Sequence, residues 1–186
     1  MLISPGRWAI ITPPKTGSTS LRSHFVDLYS GNQHDVNLPC DFSGRIFVTT
    51  RNPFARAVSL WRHYLWDCVH KEGLRAVYEL KDPISFEGFL AIRQQLSPFF
   101  GPACWWIRDL RRPYTKLPLE TIDAALQAAG LLDVGQTIPQ LNRTRHDPIA
   151  SYYAKPALAH EVIRQFCDDF AEFGYAAEIS RDVALV

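Results

Sequence analysis

Apolar residues along this chain fall into short runs separated by turn-forming clusters, and the character of the runs alternates. The run Trp8–Ile11 predicts a first strand over about 7–12, broken by Pro13-Pro14, and a helix follows from about Ser18 to Tyr29. Ser30 to Gly44 is polar and turn-rich, with room for a short strand near Asp35 to Leu38. A β-branched and aromatic segment predicts a strand over 45–51. After it, Asn52 is a good N-cap and Pro53 suits the first position of a long helix running to about Cys68. Lys71 to Pro83 carries mixed signals and reads as a lid or substrate loop. Ser85 can cap a helix bearing Phe86, Phe89, Leu90 and Ile92, and a short strand near Tyr114 to Leu117 precedes a helix from Leu119 to Ala129, ended by Gly130. Leu158, Val162, Phe166, Phe170 and Phe173 then recur at three- and four-residue steps, the core face of one last amphipathic helix. The alternation predicts an α/β fold.

Two strand-to-helix junctions carry unusual polar residues. In the first, Pro14-Lys-Thr-Gly-Ser-Thr-Ser-Leu21, Lys15 brings a full charge and Gly17 allows close backbone approach. Thr16, Ser18, Thr19 and Ser20 add hydroxyl donors where a new helix begins with unpaired N–H groups and a positive dipole end. The junction suits a phosphate or sulfate, yet it lacks the G-x-x-x-x-G-K-[ST] order of the common nucleotide loop. By itself it also reads as an ordinary polar turn. In the second junction, Arg51 ends the strand and Ser59 lies about two turns into the helix; alone, Ser59 reads as a helix-surface serine. Ligands of open α/β sheets collect beyond the carboxyl ends of strands, so Lys15 and Arg51 are expected to face one crevice.

Together these segments resemble the PAPS-dependent sulfotransferases. Pro14–Leu21 resembles that family's 5′-phosphosulfate loop, and Arg51-Asn-Pro-Phe-Ala-Arg-Ala-Val-Ser59 resembles its 3′-phosphate motif, with Asn52 where an acid is usual. Leu117–Ile122, Ile138–Thr144 and Asp168–Tyr175 are similar to later segments of the Golgi-type carbohydrate branch. The resemblance implies a single domain over 1–186, a three-layer α/β fold with a central, mainly parallel sheet, and a P-loop-like phosphosulfate loop. It implies an enzyme that transfers a sulfuryl group from PAPS to a hydroxyl, on a carbohydrate or small molecule, releases PAP and needs no metal. Lys15 would be catalytic, stabilising charge on the leaving phosphate. Lys15, Thr16, Gly17, Ser18, Thr19 and Ser20 would hold the 5′ end, Arg51 and Ser59 the 3′-phosphate, and Arg143 and Thr144 a segment closing over the nucleotide. The family's general base, a histidine or glutamate, comes from between the two motifs. That interval offers His24, Asp27, His34, Asp35 and Asp41, and His34 is preferred because it lies in the polar region outside the first helix. A P-loop nucleotide kinase and a non-catalytic nucleotide-binding module are the alternatives.

Composition narrows the setting. The chain has 186 residues, 47% hydrophobic and 21% charged, enough for one ordinary core. A formal net charge of +1 speaks against an extended nucleic-acid surface. Cys40, Cys68, Cys104 and Cys167 have no metal-finger spacing. No leader and no apolar run of membrane-spanning length is visible, so the expected setting is cytoplasmic, a trimmed Golgi-type domain being the alternative. Oligomeric state leaves no mark in the sequence.

Overall fold

Strand β1 (Leu2–Ser4) turns through Gly6, which has φ +68°, into β2 (Trp8–Ile11) and pairs with it antiparallel. Strand β3 (Arg45–Thr50) pairs parallel with β2, and β4 (Thr115–Pro118) pairs parallel with β3, giving a four-stranded mixed sheet in the order β1-β2-β3-β4. This computed structural model describes residues 1–28, 36–70, 84–141 and 147–179. Among them six α-helices accompany the sheet, so the protein is a mixed α/β fold.

The chain gathers into two compact units, the first from residues 1–51 and 103–145, the second from 52–102 and 146–185. In the first, register places Leu2, Ile10, Phe47 and Leu117 in one core with helices α1 (Ser18–His24) and α4 (Ile122–Ala128), through Leu21, Ile122 and Leu126. Ala9, Ile11, Ile46 and Val48, which alternate with these residues, are also buried, as expected of parallel strands. Helix α1 is shorter than the hydrophobic pattern predicts. It ends at Phe25, and Val26–Leu28 tightens into a 3-10 turn. Residues 36–39 form no strand, and Asp35 lies outside the described residues.

The second unit is built on α2 (Pro53–His70). The Asn52 side-chain oxygen accepts from the Phe54 N–H at 2.9 Å and caps its first turn. Helix α3 (Phe86–Ile92) is capped as expected, Ser85 accepting from the Gly88 N–H at 3.1 Å. The last amphipathic stretch is two helices, α5 (Pro156–Gln165) and α6 (Cys167–Phe173), because Phe166 leaves helical geometry at φ −121°, ψ 24°. Val162, Phe166 and Phe170 still join Phe54, Leu60, Tyr64 and Phe89 in one aromatic-rich core.

That core encloses charge. Arg56 donates to the Gly101 carbonyl at 2.9 Å and faces Asp169 at 3.5 Å, both side chains almost wholly buried. Arg93 bonds Gln165 and lies 4.7 Å from the Phe166 ring centre. Burial, reinforced by neighbouring Arg56, lowers its pKa to about 10. Trp61 donates to the Ile84 carbonyl at 2.9 Å, and Tyr64 is fully buried; both are packing residues.

Among the described residues, Cys40, Cys104 and Cys167 form no disulfide, no acidic, histidine or cysteine cluster suits a metal, and no helix is long and apolar enough to cross a membrane.

Candidate functional site

The turn between β2 and α1 has an uncommon backbone. Lys15 has φ +66°, the left-handed region that a residue with a Cβ enters at a cost, and Gly17 has φ +97°. Gly17 is the N-cap of α1 and has no side chain with which to cap it. The first helical bond is Leu21 N–H to the Gly17 carbonyl at 3.2 Å. Among the described residues, none accepts from the N–H groups of Gly17, Ser18, Thr19 or Ser20. Such a turn presents donors and a positive dipole end to an anion.

Hydrogen bonding inside the turn decides which of its side chains face outward. Thr16 is fully buried, its N–H donating to the Pro13 carbonyl at 3.3 Å and its hydroxyl to the same oxygen at 2.6 Å. The Thr16 hydroxyl also lies 2.6 Å from that of Thr49 on β3. A hydroxyl has one proton, so both short contacts are satisfied only if Thr49 donates to Thr16 and Thr16 to Pro13, in preference to the longer 3.5 Å contact of Thr49 with the Ile11 carbonyl. Both donors of Thr16 are therefore spent within the turn, and Thr16 serves as its brace. Ser18 is buried, Thr19 is exposed, and Ser20 accepts from the Leu141 N–H at 3.1 Å while keeping its own proton to donate.

Arg51 meets the same turn. It is 9% exposed at the end of β3, and its Nη1 donates to the Lys15 carbonyl at 3.3 Å. The two cationic residues singled out in the sequence thus stand together where β2 and β3 end. The turn after β4 joins them: a Cβ on Gly17 would lie 2.5 Å from Leu119 Cδ1.

Ser59 belongs to the second unit, half-buried on α2. His34, Arg143 and Thr144 lie outside the described residues, as does the loop from Lys71 to Pro83. Of the other candidate bases, His24 is exposed at the end of α1 with its ring 4.7 Å from Phe25, and Asp27 and Asp41 are exposed. Sequence reading missed Thr49, the strand residue whose hydroxyl holds Thr16. Two consecutive threonines ahead of an arginine were the available signal, because alternation puts one of them on the side of Arg51.

Comparison with family models, curated proteins and solved structures finds no match to this chain.

Proposed function

We propose that this chain is a PAPS-dependent sulfotransferase acting on a hydroxyl acceptor, with a carbohydrate as the favoured class. The observation that carries the reading is the meeting of Lys15 and Arg51 on a left-handed turn with open N–H groups, at the carboxyl ends of two parallel strands. PAPS has an anionic group at each end, and the residues resembling the family's two anion motifs supply a cation each. The N–H groups of Gly17, Ser18, Thr19 and Ser20 and the outward hydroxyls would hold the 5′-phosphosulfate. Arg51 offers forked donors to the 3′-phosphate. Ser59 enters through its place in the motif alone, as do Arg143 and Thr144 through theirs.

In the reaction the acceptor oxygen attacks sulfur, the bond from sulfur to the bridging phosphate oxygen breaks, and PAP leaves with the extra negative charge. Lys15 is the cation suited to stabilise that charge. The acceptor proton goes to a base, for which His34 is the proposal. The test pairs binding with turnover. PAP should raise the melting temperature by mass action, and ADP, without the 3′-phosphate, should raise it less at equal concentration. Labelled sulfate should pass from PAPS to a carbohydrate in a panel of acceptors. His34→Ala should keep PAP binding while losing roughly a hundredfold in turnover, with the ascending limb of the pH–rate profile. Equal stabilisation by PAP and ADP, with ATP turned over and PAPS inert, would replace this reading with a nucleotide phosphotransferase.

A further inference from the structure

We propose that Thr49, a buried strand residue, is a positioning residue for Lys15, acting through the hydroxyl of Thr16; the inference rests on the sulfuryl-transfer reading of Lys15. Alternation along β3 puts Thr49 and Arg51 on the same side of the strand, and both reach the β2–α1 turn. Thr49 holds Thr16, the residue after Lys15, and Arg51 holds the carbonyl of Lys15 itself. The left-handed backbone of Lys15 is thus gripped from β3 on its carboxyl side.

The grip matters because a lysine has four rotatable bonds, and only its Cα–Cβ direction is fixed by the main chain. With φ at +66°, Lys15 points its side chain where an extended or right-handed residue would not. That backbone is unfavourable for a residue with a Cβ and persists only where its surroundings enforce it. Beside the Arg51 contact, the enforcement is a chain of two hydrogen bonds, from Thr49 hydroxyl to Thr16 hydroxyl to Pro13 carbonyl, each 2.6 Å. Thr16 and Thr49 have no exposed surface, so water cannot replace a missing donor there. Removing the Thr49 hydroxyl leaves the Thr16 oxygen without its donor and the turn able to relax. The charge that must meet the leaving phosphate then moves, although the open N–H groups that bind the nucleotide remain.

Thr49→Val removes the hydroxyl at nearly constant shape, and Thr49→Ser restores it. Thr49→Val should lower kcat with PAPS by roughly tenfold to a hundredfold, the scale of a misplacement of about 1 Å. The Kd for PAP should change less than about threefold, since the binding donors are retained. Thr49→Ser should recover most of kcat. Unchanged kcat in Thr49→Val, equal loss in both variants, or a loss of PAP affinity matching the loss of kcat overturns the proposal. If the valine variant does not fold, Thr49→Ala takes its place and must behave as described for it. If the wild-type chain does not turn over PAPS, the sulfotransferase reading falls, and hydrogen exchange then judges the brace. The Thr16 amide should exchange at least about tenfold faster in Thr49→Val than in the wild type or Thr49→Ser, with the α2 amides unchanged. An unchanged Thr16 amide overturns the brace as well.

Discussion

Lys15 and Arg51 are both cations on one turn, yet their expected roles separate. In the proposed sulfuryl transfer, Lys15→Ala would remove a charge needed most as the leaving phosphate develops its own, so kcat should fall far more than PAP affinity. Arg51→Ala removes a support of the turn and the proposed partner of the 3′-phosphate, so calorimetry should show PAP binding weakened by about 2 kcal/mol or more. The opposite pattern would exchange the roles. Gly17 is required by its backbone: its φ of +97° strains any other residue, while a Cβ would meet only the tip of the Leu119 side chain at 2.5 Å and push it aside. Gly17→Ala should therefore destabilise by about 2 kcal/mol in urea unfolding, even though alanine favours helices elsewhere. Chemistry at this scale was partly legible. A lysine, a glycine and hydroxyls between a strand and a helix announce an anion site, but a sequence does not say which way a hydroxyl points. Thr16 and Thr19 look equivalent on paper, and only the pairing of β2 with β3, which carries Thr49 to the turn, directs Thr16 inward while Thr19 stays exposed.

The secondary-structure elements divide along similar lines. Strands β2 and β3 and the start of α2 are readable because several local signals coincide at each: apolar β-branched runs, then Asn52-Pro53 at a cap. Strand β1 is not, since its three residues are too few for a period and its pairing depends on the hairpin through Gly6. The break at Phe166 is hidden because the apolar spacing runs straight through it. At the break the Phe166 ring makes tertiary contacts that spacing does not show: it lies beside the guanidiniums of Arg93 and Arg56, with centroid distances of 4.7 Å and 5.9 Å. Asp169 balances part of that buried charge, so Asp169→Asn should cost about 3 kcal/mol in chemical denaturation. Lys155→Ala, which breaks an exposed pair with Glu87, should cost under about 0.5 kcal/mol. Similar costs for both would show the buried bridge to be dispensable. Tyr153 links the 3-10 turn Ile149–Tyr153 to α2, its hydroxyl donating to the Phe54 carbonyl at 2.8 Å. Burial raises its pKa well above 10. A raised folded pKa contributes stability below the unfolded value that is lost as pH climbs, so wild-type stability should decline above about pH 10. Tyr153→Phe should be less stable by about 1 kcal/mol at pH 7, and the gap should narrow in alkaline denaturation series.

For the whole molecule, chain order differs from spatial order. Strand β4 sits beside β3 in the sheet, yet residues 51–114 separate them in sequence, and this interval includes α2 and α3 of the second unit. During translation, at roughly 5–20 residues per second, β3 therefore waits several seconds for its neighbour. Over that interval a row of its main-chain donors and acceptors is an open edge, flanked by Phe47 and Val48, the kind of edge that recruits other chains. Both a fragment ending at residue 102 and one ending at 145 lack α5 and α6 and leave the second unit's core open, so both should bind a hydrophobic dye, but the shorter, without β4 and α4, should sediment as aggregates to a greater extent. Equal solubility of the two would mean that β3 needs no protection. The nascent chain is thus most exposed while its first unit is half made, and synthesis rate through residues 51–114 becomes a control on yield that the finished fold does not reveal.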